Sequence, residues 1–191
     1  GASPLPYQRI NGASQTCGLA ALHSRALLAN TIVFLGQNPQ GGIQVLMLNG
    51  YTPVRISTSD IEDIISTFTI YQDAIALTYM IDGHMMYQLT FPVGGRSFLY
   101  DALTGFWSEV QTGVDLVARH YANLGISYNS LNYISDQSSG NIYQLKKSVY
   151  TDNGIEIKRQ VCSRHIRKGG NDFGISEIFL NKIYTRAKHV P

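Results

Sequence analysis

The sequence predicts an all-β protein: a β-propeller-like antiparallel meander of short strands, with kelch-like blades. Three observations support this fold class. Apolar and polar residues alternate with a period of two along most of the chain, as half-buried strands do. Turn-forming residues separate these stretches, and the chain has 18 glycines among its 191 residues. Its 12 tyrosines and its low share of charged residues, 15%, are typical of half-buried strand surfaces.

The first clear hairpin lies between residues 31 and 48. The apolar run 31–35 is followed by a turn at residues 37–42, where Pro and Gly favour chain reversal, and the strand 43–48 returns. Asn49-Gly50 is a strong signal for a second tight turn. Upstream, the apolar stretch 19–28 is compatible with a helix or with a buried strand, and both stay open.

Residues 59–68 are expected to form one short amphipathic helix. Ser59-Asp60-Ile61-Glu62 matches a capping box, in which the Ser hydroxyl accepts from the N–H of Glu62 and the Glu carboxylate reaches back. The apolar residues at helical spacing are Ile61, Ile64, Ile65 and Phe68. We expect this apolar face to pack on the outside of the sheets.

Six further strands are predicted after the helix. They are residues 74–81, 85–91, 97–101, 129–134, 142–145 and 155–161. The turns that separate them are Asp82-Gly83, Gly94-Gly95, Ser138-Ser139-Gly140 and Asn153-Gly154. Short turns between successive strands predict antiparallel pairing of neighbours in the sequence.

Three hairpins resemble one another. In each, a glycine turn enters a strand that ends in Leu, over residues 42–46, 83–89 and 140–145. The last two share Tyr-Gln-Leu, and the leading glycines are 41 and 57 residues apart. Blades of β-propellers recur at roughly 40–50 residues, and each is a four-stranded antiparallel sheet. The repeat therefore predicts propeller blades.

The second of these hairpins continues into a motif that resembles the kelch blade. Gly94 and Gly95 precede Tyr100 and Asp101, and Trp107 follows six residues after the Asp. We expect the turn after Tyr-Asp to bring the Trp back to pack between blades. A single hairpin with an ordinary aromatic pair is the alternative. These five residues are expected to have a structural role.

The blade period also bears on domain organisation. At about 40–50 residues per blade, 191 residues hold about four blades at most, the lower end of the propeller range. Three blades can be identified. We therefore expect residues 1–191 to be a single domain or a fragment of a larger β-propeller protein.

The net charge of +2 conceals a polarised chain. Residues 1–140 carry five basic and nine acidic side chains, whereas residues 141–191 carry ten basic and four acidic ones. The densest group of cations consists of Lys158, Arg159, Arg164, Arg167 and Lys168. This basic cluster predicts a surface that faces a polyanion, where a contact with nucleic acid would be electrostatic and salt-dependent. A solvated strand surface is the alternative.

The sequence offers no motif for catalysis or metal binding. None of the five histidines stands four residues from another, and no HExxH, Walker loop, GxSxG or GxGxxG occurs. Cys17 and Cys162 lie outside any CxxC pattern. No apolar run approaches the ~18–20 residues of a membrane span. We therefore expect no enzyme activity, no catalytic or metal-binding residues, no cofactor, no small-molecule substrate and no membrane partner.

The tyrosines allow two interpretations. Those at positions 71, 79, 87, 121, 128, 133 and 143 would either line a sugar- or protein-binding surface or simply occupy half-buried strands. The first interpretation corresponds to a kelch- or lectin-like propeller that binds a carbohydrate or a protein partner. It is kept as an alternative function, and a glycan-cleaving enzyme is a third.

A succession of short motifs along residues 15–165 carries a family resemblance. The motifs are Phe34-Leu35-Gly36-Gln37, Gly42, Val54-Arg55-Ile56-Ser57-Thr58, Ile61-Glu62, Asp73-Ala74, Gly83-His84, Tyr87, Leu89, Phe91-Pro92, Tyr100-Asp101, Thr104-Gly105, Trp107, Asp136, Ser139-Gly140, Ile142-Tyr143-Gln144-Leu145 and Tyr150-Thr151-Asp152-Asn153-Gly154. In this order they resemble the packaged-DNA-stabilisation proteins of short-tailed bacteriophages, which are tail-hub or head-completion proteins.

The resemblance implies a structural virion protein that carries a β-propeller and assembles with itself as a ring, expected to be a hexamer. Such proteins close the portal channel, retain the packaged DNA and serve as the platform for tail assembly. The implied partners are portal or adaptor proteins and later tail components, with a non-specific contact to packaged DNA. The protein would be made in the host bacterial cytoplasm and reside in the virion tail. Family members are usually longer, so this chain would correspond to the later part of the propeller.

Overall fold

The computed structural model describes residues 13–112 and 118–160. Compactness divides the chain into two units, Gly1–Lys158 and Arg159–Pro191. All the helices and strands that follow belong to the first unit. The strands are β1 (Gly18–Leu19), β2 (Ala26–Leu28), β3 (Thr31–Gln37), β4 (Ile43–Asn49), β5 (Thr52–Arg55), β6 (Ile75–Ile81), β7 (His84–Phe91), β8 (Arg96–Asp101), β9 (Trp107–Glu109), β10 (Gln111–Thr112), β11 (Ala118–Arg119), β12 (Ala122–Tyr128), β13 (Leu131–Asp136), β14 (Ile142–Leu145), β15 (Thr151–Asp152) and β16 (Ile155–Glu156). The helices are α1 (Ser59–Ser66) and a short 3-10 helix, Leu22–Ser24.

The first sheet contains β1 to β5. Strands β3, β4 and β5 follow one another, and β1 and β2 both pair with the free edge of β3, all antiparallel. The stretch left open between helix and strand thus consists of two edge strands joined by the 3-10 helix. The predicted turn after β4 lies one residue further on, at Gly50 and Tyr51, because Asn49 still pairs with Thr52.

The second sheet is a complete four-stranded meander, β6-β7-β8-β9, in which each strand pairs with the next in the sequence. The turn between β6 and β7 is the predicted Asp82-Gly83, with φ of 51° and 80°. Two successive residues with positive φ match the right-handed twist of a tight hairpin. This sheet has the architecture expected of one propeller blade.

The third sheet contains β12, β13 and β14. The predicted strand 129–134 starts too early, because Asn129 and Ser130 have φ of 50° and 61° and form the turn between β12 and β13. Strand β12 was not predicted. Two small hairpins, β10-β11 and β15-β16, accompany the sheets. Of the predicted strand 155–161, only Ile155–Glu156 is a strand, and residue 161 lies outside the described residues.

The second sheet lies between the other two. Tyr87 and Leu89 on β7 face the first sheet, and because side chains alternate along a strand, Gln88 and Thr90 face the third. The buried residues of the first core, between the first sheet, α1 and the second sheet, are Ala21, Leu28, Val33, Leu35, Val45, Ile61, Ile65, Ala74, Tyr87, Leu89, Phe91, Phe98 and Tyr100. Full burial of each large side chain contributes about 1.5–3 kcal/mol.

A smaller core joins the second sheet to the third. Leu77 on β6 packs with Ala122 and Ile134. Gly125 on β12 lies beside Leu77, where an added Cβ would make an ordinary van der Waals contact at 3.5 Å. Strand β6 also contacts β2 on the other side, so the first strand of the second sheet lies between a strand of the first sheet and the first strand of the third. The predicted all-β antiparallel meander with one helix is confirmed.

The helix begins differently from the prediction. Its N-cap is Thr58, whose hydroxyl accepts a hydrogen bond from the N–H of Ile61 at 3.4 Å. The expected capping box does not form, because Glu62 binds Arg55 instead, with Nε to Oε1 at 2.6 Å and Nη2 to Oε2 at 2.8 Å. Two charge-assisted bonds to a guanidinium are stronger than one bond to a backbone N–H. The helix ends at Ser66, two residues before the predicted end.

Candidate functional site

The glycine pair of the blade motif lets the turn between β7 and β8 pack closely on the chain after α1. A Cβ at Gly94 would lie 3.0 Å from the ring of Phe68, so any other residue there would require the ring to shift by a few tenths of an ångström. Phe68 in turn packs on Phe91, with ring centroids 5.0 Å apart. Gly95 has φ of +67°, a conformation that L side chains rarely adopt. Gly94 therefore makes room for the Phe68 ring, whereas Gly95 supplies the positive φ of the turn.

The Tyr-Asp part of the motif builds the turn from β8 to β9. The Asp101 carboxylate accepts hydrogen bonds from the Leu103 N–H at 2.9 Å and from the Thr104 hydroxyl at 2.8 Å, and it contacts His84 Nδ1 at 2.8 Å. Desolvation opposes ionisation of this carboxylate, but the hydrogen bonds from His84, Thr104 and Leu103 outweigh it and lower the pKa of Asp101 to about 2. The carboxylate is saturated with donors.

Trp107 connects two sheets. It lies opposite Tyr100 in the register of β8 and β9, with ring centroids 5.1 Å apart. Its indole Nε1 donates a hydrogen bond of 2.8 Å to the carbonyl of Ile56, which follows β5 in the first sheet. Trp107 therefore contacts the first sheet through this hydrogen bond. The five residues of the blade motif lie at the two ends of β8: Gly94 and Gly95 are in the turn before it, and Tyr100, Asp101 and Trp107 are where it meets β9.

A buried polar network joins the second sheet to the segment that leads into the third. His120 Nδ1 accepts from the Ala122 N–H at 3.1 Å and lies 3.3 Å from the Gln88 side-chain amide, while its own backbone N–H donates to Ser97 Oγ at 3.0 Å. Burial lowers the pKa of His120, and the charge of Asp152 only partly opposes this effect. The ring is therefore a neutral acceptor. Sequence reasoning did not identify this network.

The basic cluster is only partly described. Lys158 and Arg159 are exposed, whereas Arg164, Arg167 and Lys168 lie outside the described residues. Several other described cations have acidic partners. These pairs are Arg55 with Glu62, Arg96 with Glu109 at 2.5 Å, and Lys147 with Asp82. The charges of these three cations are therefore locally compensated.

The third sheet exposes an apolar face that sequence reasoning missed. Side chains on the surface opposite the second core include Leu124, Ile126, Tyr128 and Ile142, which are 66–73% exposed, and Leu131 at 39%. We call this surface the third-sheet face. The signal was present in the alternation of Leu124, Ile126 and Tyr128, but Gly125 and the unrecognised turn after β12 concealed it.

The first sheet exposes a similar surface on the side away from the second sheet. Leu19, Leu27 and Ile32 are 48%, 62% and 44% exposed there, next to the half-buried Phe34. The register places Leu27 opposite Ile32 and Leu19 opposite Gly36, so these side chains share one face. We call it the first-sheet face. Isolated exposed apolar residues are normal, but contiguous groups mark interaction sites.

The tyrosines do not converge on a pocket in the described part of the chain. Tyr87 is buried in the first core, where its hydroxyl donates to the Ser24 carbonyl at 2.7 Å. Tyr79 and Tyr143 pack on the second core, and burial raises the pKa of Tyr79 to about 12. A surface depression of about 430 Å³ near residues 30–32 and 48–50 has no aromatic lining.

Within residues 13–112 and 118–160, no group of three or more His, Cys, Asp or Glu side chains is placed to hold a metal ion. The single α-helix found in those same residues has eight residues, so no helix there is long enough to cross a bilayer.

Comparison with known proteins identifies the family. A family model described as phage stabilisation, "Bacteriophage P22 Gp10, beta-propeller", matches residues 1–150, which include all three sheets. No curated protein matches the chain significantly. The predicted propeller-like fold class and the resemblance to phage DNA-stabilisation proteins are thereby confirmed. Because the match covers 150 of the 191 residues, this chain belongs to the phage stabilisation family of bacteriophage P22 Gp10, a β-propeller family.

Proposed function

We propose that the chain is a structural virion protein of a phage tail hub, which closes the portal channel, retains packaged DNA and serves as a platform for tail assembly. The observation that carries this proposal is the family match over residues 1–150. The surface chemistry supports it, because the described surface offers apolar sheet faces rather than a pocket. Such faces suit contacts with other proteins.

The mechanism is steric and depends on assembly. Six copies of the protein form a ring over the portal. The ring blocks the channel and holds the packaged genome against its own pressure. A plug of this kind must be rigid. The shared core of the first and second sheets and the Trp107 hydrogen bond to the Ile56 carbonyl supply that rigidity. Portal or adaptor proteins bind one side, and later tail components bind the other.

The protein has no catalytic role in this proposal. The groups that most resemble catalytic residues have structural tasks. Asp101 is saturated by hydrogen bonds, and His120 is buried as an acceptor in the polar network. The basic cluster contacts packaged DNA through phosphates, without reading base sequence. The protein resides in the tail of the virion.

Reconstitution tests the proposal. Purified full-length protein is mixed with portal complexes and examined by electron microscopy, and we expect a stoichiometric ring at the portal. DNA-filled heads that lack tails are treated in parallel, and the release of DNA is followed with an intercalating dye. We expect the protein to slow this release. Heads that receive an unrelated propeller of similar size serve as the control.

Three outcomes are informative. A ring with slower DNA release supports the whole proposal. If a ring forms but does not slow DNA release, the proposed role as a platform for tail assembly stands and the proposed role in DNA retention is contradicted. No association with portals, combined with micromolar binding on a glycan array, would overturn the proposal in favour of the lectin-like alternative.

A further inference from the structure

A shallow depression of about 250 Å³ lies where the 3-10 helix meets the starts of β6 and β12. Four apolar side chains line it, and these are Leu22, Ile75, Ala76 and Leu124. Its polar lining consists of His23, Arg25 and Asn123. An apolar lining combined with a small number of polar groups is the composition typical of binding sites.

The backbone that carries His23 and Arg25 is held in place by the residue between them. Ser24 is fully buried, and its Oγ accepts a hydrogen bond from the Leu35 N–H at 2.9 Å. The Ser24 carbonyl accepts a second one from the Tyr87 hydroxyl at 2.7 Å. These bonds tie the 3-10 helix to β3 and β7, while the side chains of His23 and Arg25 stay exposed. A fixed backbone lowers the entropic cost of binding at such a site.

Asn123 reaches the depression through a β-bulge. Ala122 pairs with Asp136, and the next pair in the register is Leu124 with Ser135, so Asn123 is an extra residue on β12. The Leu124 N–H donates to Ser135 Oγ at 3.2 Å beside the bulge. Bulges change the direction of a side chain and are frequent next to functional sites. Here the side chain of the extra residue lines the depression.

The three polar side chains all offer hydrogen-bond donors. The Arg25 guanidinium is a planar fork of N–H groups, the Asn123 amide has two N–H groups, and the His23 ring has at least one. Among the described residues Arg25 has no acidic partner, whereas Arg55 is bound by Glu62. A cation with further donors beside it favours an anionic acceptor.

We propose that the depression receives one glutamate side chain of a partner protein. A carboxylate matches the guanidinium of Arg25 in charge and in planar shape, so the two form parallel hydrogen bonds. Asn123 and His23 donate to the same carboxylate, and the methylene stem of the glutamate packs on the apolar lining. At about 250 Å³ the depression is smaller than the ~300–1,000 Å³ of small-molecule sites, which suits a single side chain.

A DNA phosphate is the less suitable occupant. It has no apolar stem that would pack on Ile75, Ala76 and the neighbouring leucines. Binding to a duplex backbone also uses several cations along a stripe, whereas the described lining contains a single arginine and no lysine. The depression therefore differs in chemistry from the basic cluster, and the proposal does not depend on the tail-hub role.

An NMR titration of the isotope-labelled 191-residue chain tests the site. The probe is N-acetyl-glutamate amide, which carries the glutamate side chain without any other charge. We expect saturable shifts of the Arg25 Nε–H and Asn123 side-chain amide signals, with a Kd of about 1–10 mM for this single contact. The neutral N-acetyl-glutamine amide should produce no saturable shift.

Variants connect the binding to the named side chains. Arg25→Gln should weaken binding about tenfold or more, and Asn123→Ala about threefold or more. Arg25→Lys keeps the charge but loses the planar fork, so its affinity should lie between those of Arg25→Gln and the wild type. Arg55→Gln is the matched control and should bind like the wild type, because Arg55 is not part of the lining. Backbone signals remote from the depression check that each variant is folded.

Four results would overturn the proposal. The probe could give no saturable shift up to about 50 mM, or Arg25→Gln could bind it as well as the wild type does. Tighter binding of dimethyl phosphate than of the probe would mean that the site takes a phosphodiester. Binding of free L-glutamate about 100-fold tighter than the probe would mean that it takes a free amino acid. Each of these results leaves the tail-hub proposal standing, because that proposal is judged by portal binding.

Discussion

At the scale of single residues, the chain relies on side chains that hold backbone in place. Asp101 gathers three donors around one carboxylate and thereby fixes the turn that presents Trp107 to the first sheet. Gly94 leaves room for the Phe68 ring. Glu62 was expected to cap its own helix but pairs with Arg55. In each case a specific partner, near or distant in the sequence, determines what the residue does.

Because the pKa of Asp101 is lowered in the folded chain, the free energy of unfolding depends on pH in the acidic range. Its pKa is lowered to about 2 in the folded chain from an ordinary value of 3.8, so the folded state binds its proton more weakly than the unfolded state does. The stabilisation is present above about pH 4 and is lost as the pH falls from about 4 towards 2. We expect the urea midpoint to decrease in this window, with Trp107 fluorescence as the readout.

Asp101→Asn is the test variant, since it keeps the shape of the side chain but cannot ionise. It should be less stable than the wild type at pH 6 and should show a shallower decrease between pH 4 and 2. Asp60→Asn, on the exposed first turn of α1, is the control and should keep the wild-type slope. Equal slopes in Asp101→Asn and the wild type would contradict the prediction.

At the scale of elements, two junctions of the second sheet each depend on a few specific contacts. The chain after α1 reaches the second sheet through Phe68, which is held between Gly94 and Phe91. The third sheet reaches the second through a small apolar core and through the polar network around His120. The junction between the second and third sheets is the more polar of the two. We therefore expect its stability to depend on pH.

Gly94→Ala should destabilise the helix contact. The new methyl group would lie about 3.0 Å from the Phe68 ring, and that ring is already backed by Phe91, so it has little room to move. Overpacking of this type costs roughly 1–3 kcal/mol. Gly140→Ala is the matched control, because nothing lies within 4 Å of a Cβ there and its φ is not positive. Urea unfolding measures the free energy of unfolding of both variants. Equal losses of stability would show that the Phe68 ring moves aside.

The His120 junction should loosen in mild acid. Burial lowers the pKa of His120 below the ordinary 6.5, so the neutral ring is favoured in the folded chain. Its contribution to stability is present above about pH 6.5 and is lost as the pH falls from there towards the lowered pKa. Protonated Nδ1 could no longer accept from Ala122 and would face the Gln88 amide. We expect faster amide exchange in β12 and β13 than in β7 between pH 6.5 and 5, after correction for intrinsic rates.

His120→Asn separates this effect from general acid sensitivity. The Asn side-chain oxygen can accept in place of Nδ1 but does not titrate in this range. The variant should therefore lose the difference in exchange between the third and second sheets on acidification. If the difference persists in His120→Asn, another group must be its source.

At the scale of the whole molecule, the sequence predicts local features better than relations between sheets. The hairpins with clear turn chemistry were predicted within a few residues, including the Asp82-Gly83 turn with its two positive φ values. Strand β12 escaped because Gly125 breaks its pattern and a register shift separates Ala122 from Leu124. Alternation also cannot distinguish a face that packs inside the chain from one that stays exposed. The third-sheet face therefore required the structure.

The charge distribution along the whole chain leads to a final prediction, which concerns DNA. If the basic cluster contacts phosphates, the full chain should bind double-stranded DNA without sequence preference. The logarithm of its affinity should then fall linearly with the logarithm of salt concentration, by about 0.9 per phosphate contact. Changing both Lys158 and Arg159 to Gln removes two contacts and should reduce the slope by about 2.

A charge-matched control separates the cluster from net charge. Arg55→Gln with Arg96→Gln removes the same number of positive charges from outside the cluster, at side chains that contact Glu62 and Glu109. Exposed ion pairs of this kind contribute only about 0–1 kcal/mol, so the control should stay folded. Fluorescence anisotropy with a labelled duplex at several salt concentrations measures all three proteins. An equal loss of slope in both double variants would mean that net charge alone governs binding, whereas a wild-type slope near zero would mean that the basic end of the chain meets an acidic protein instead.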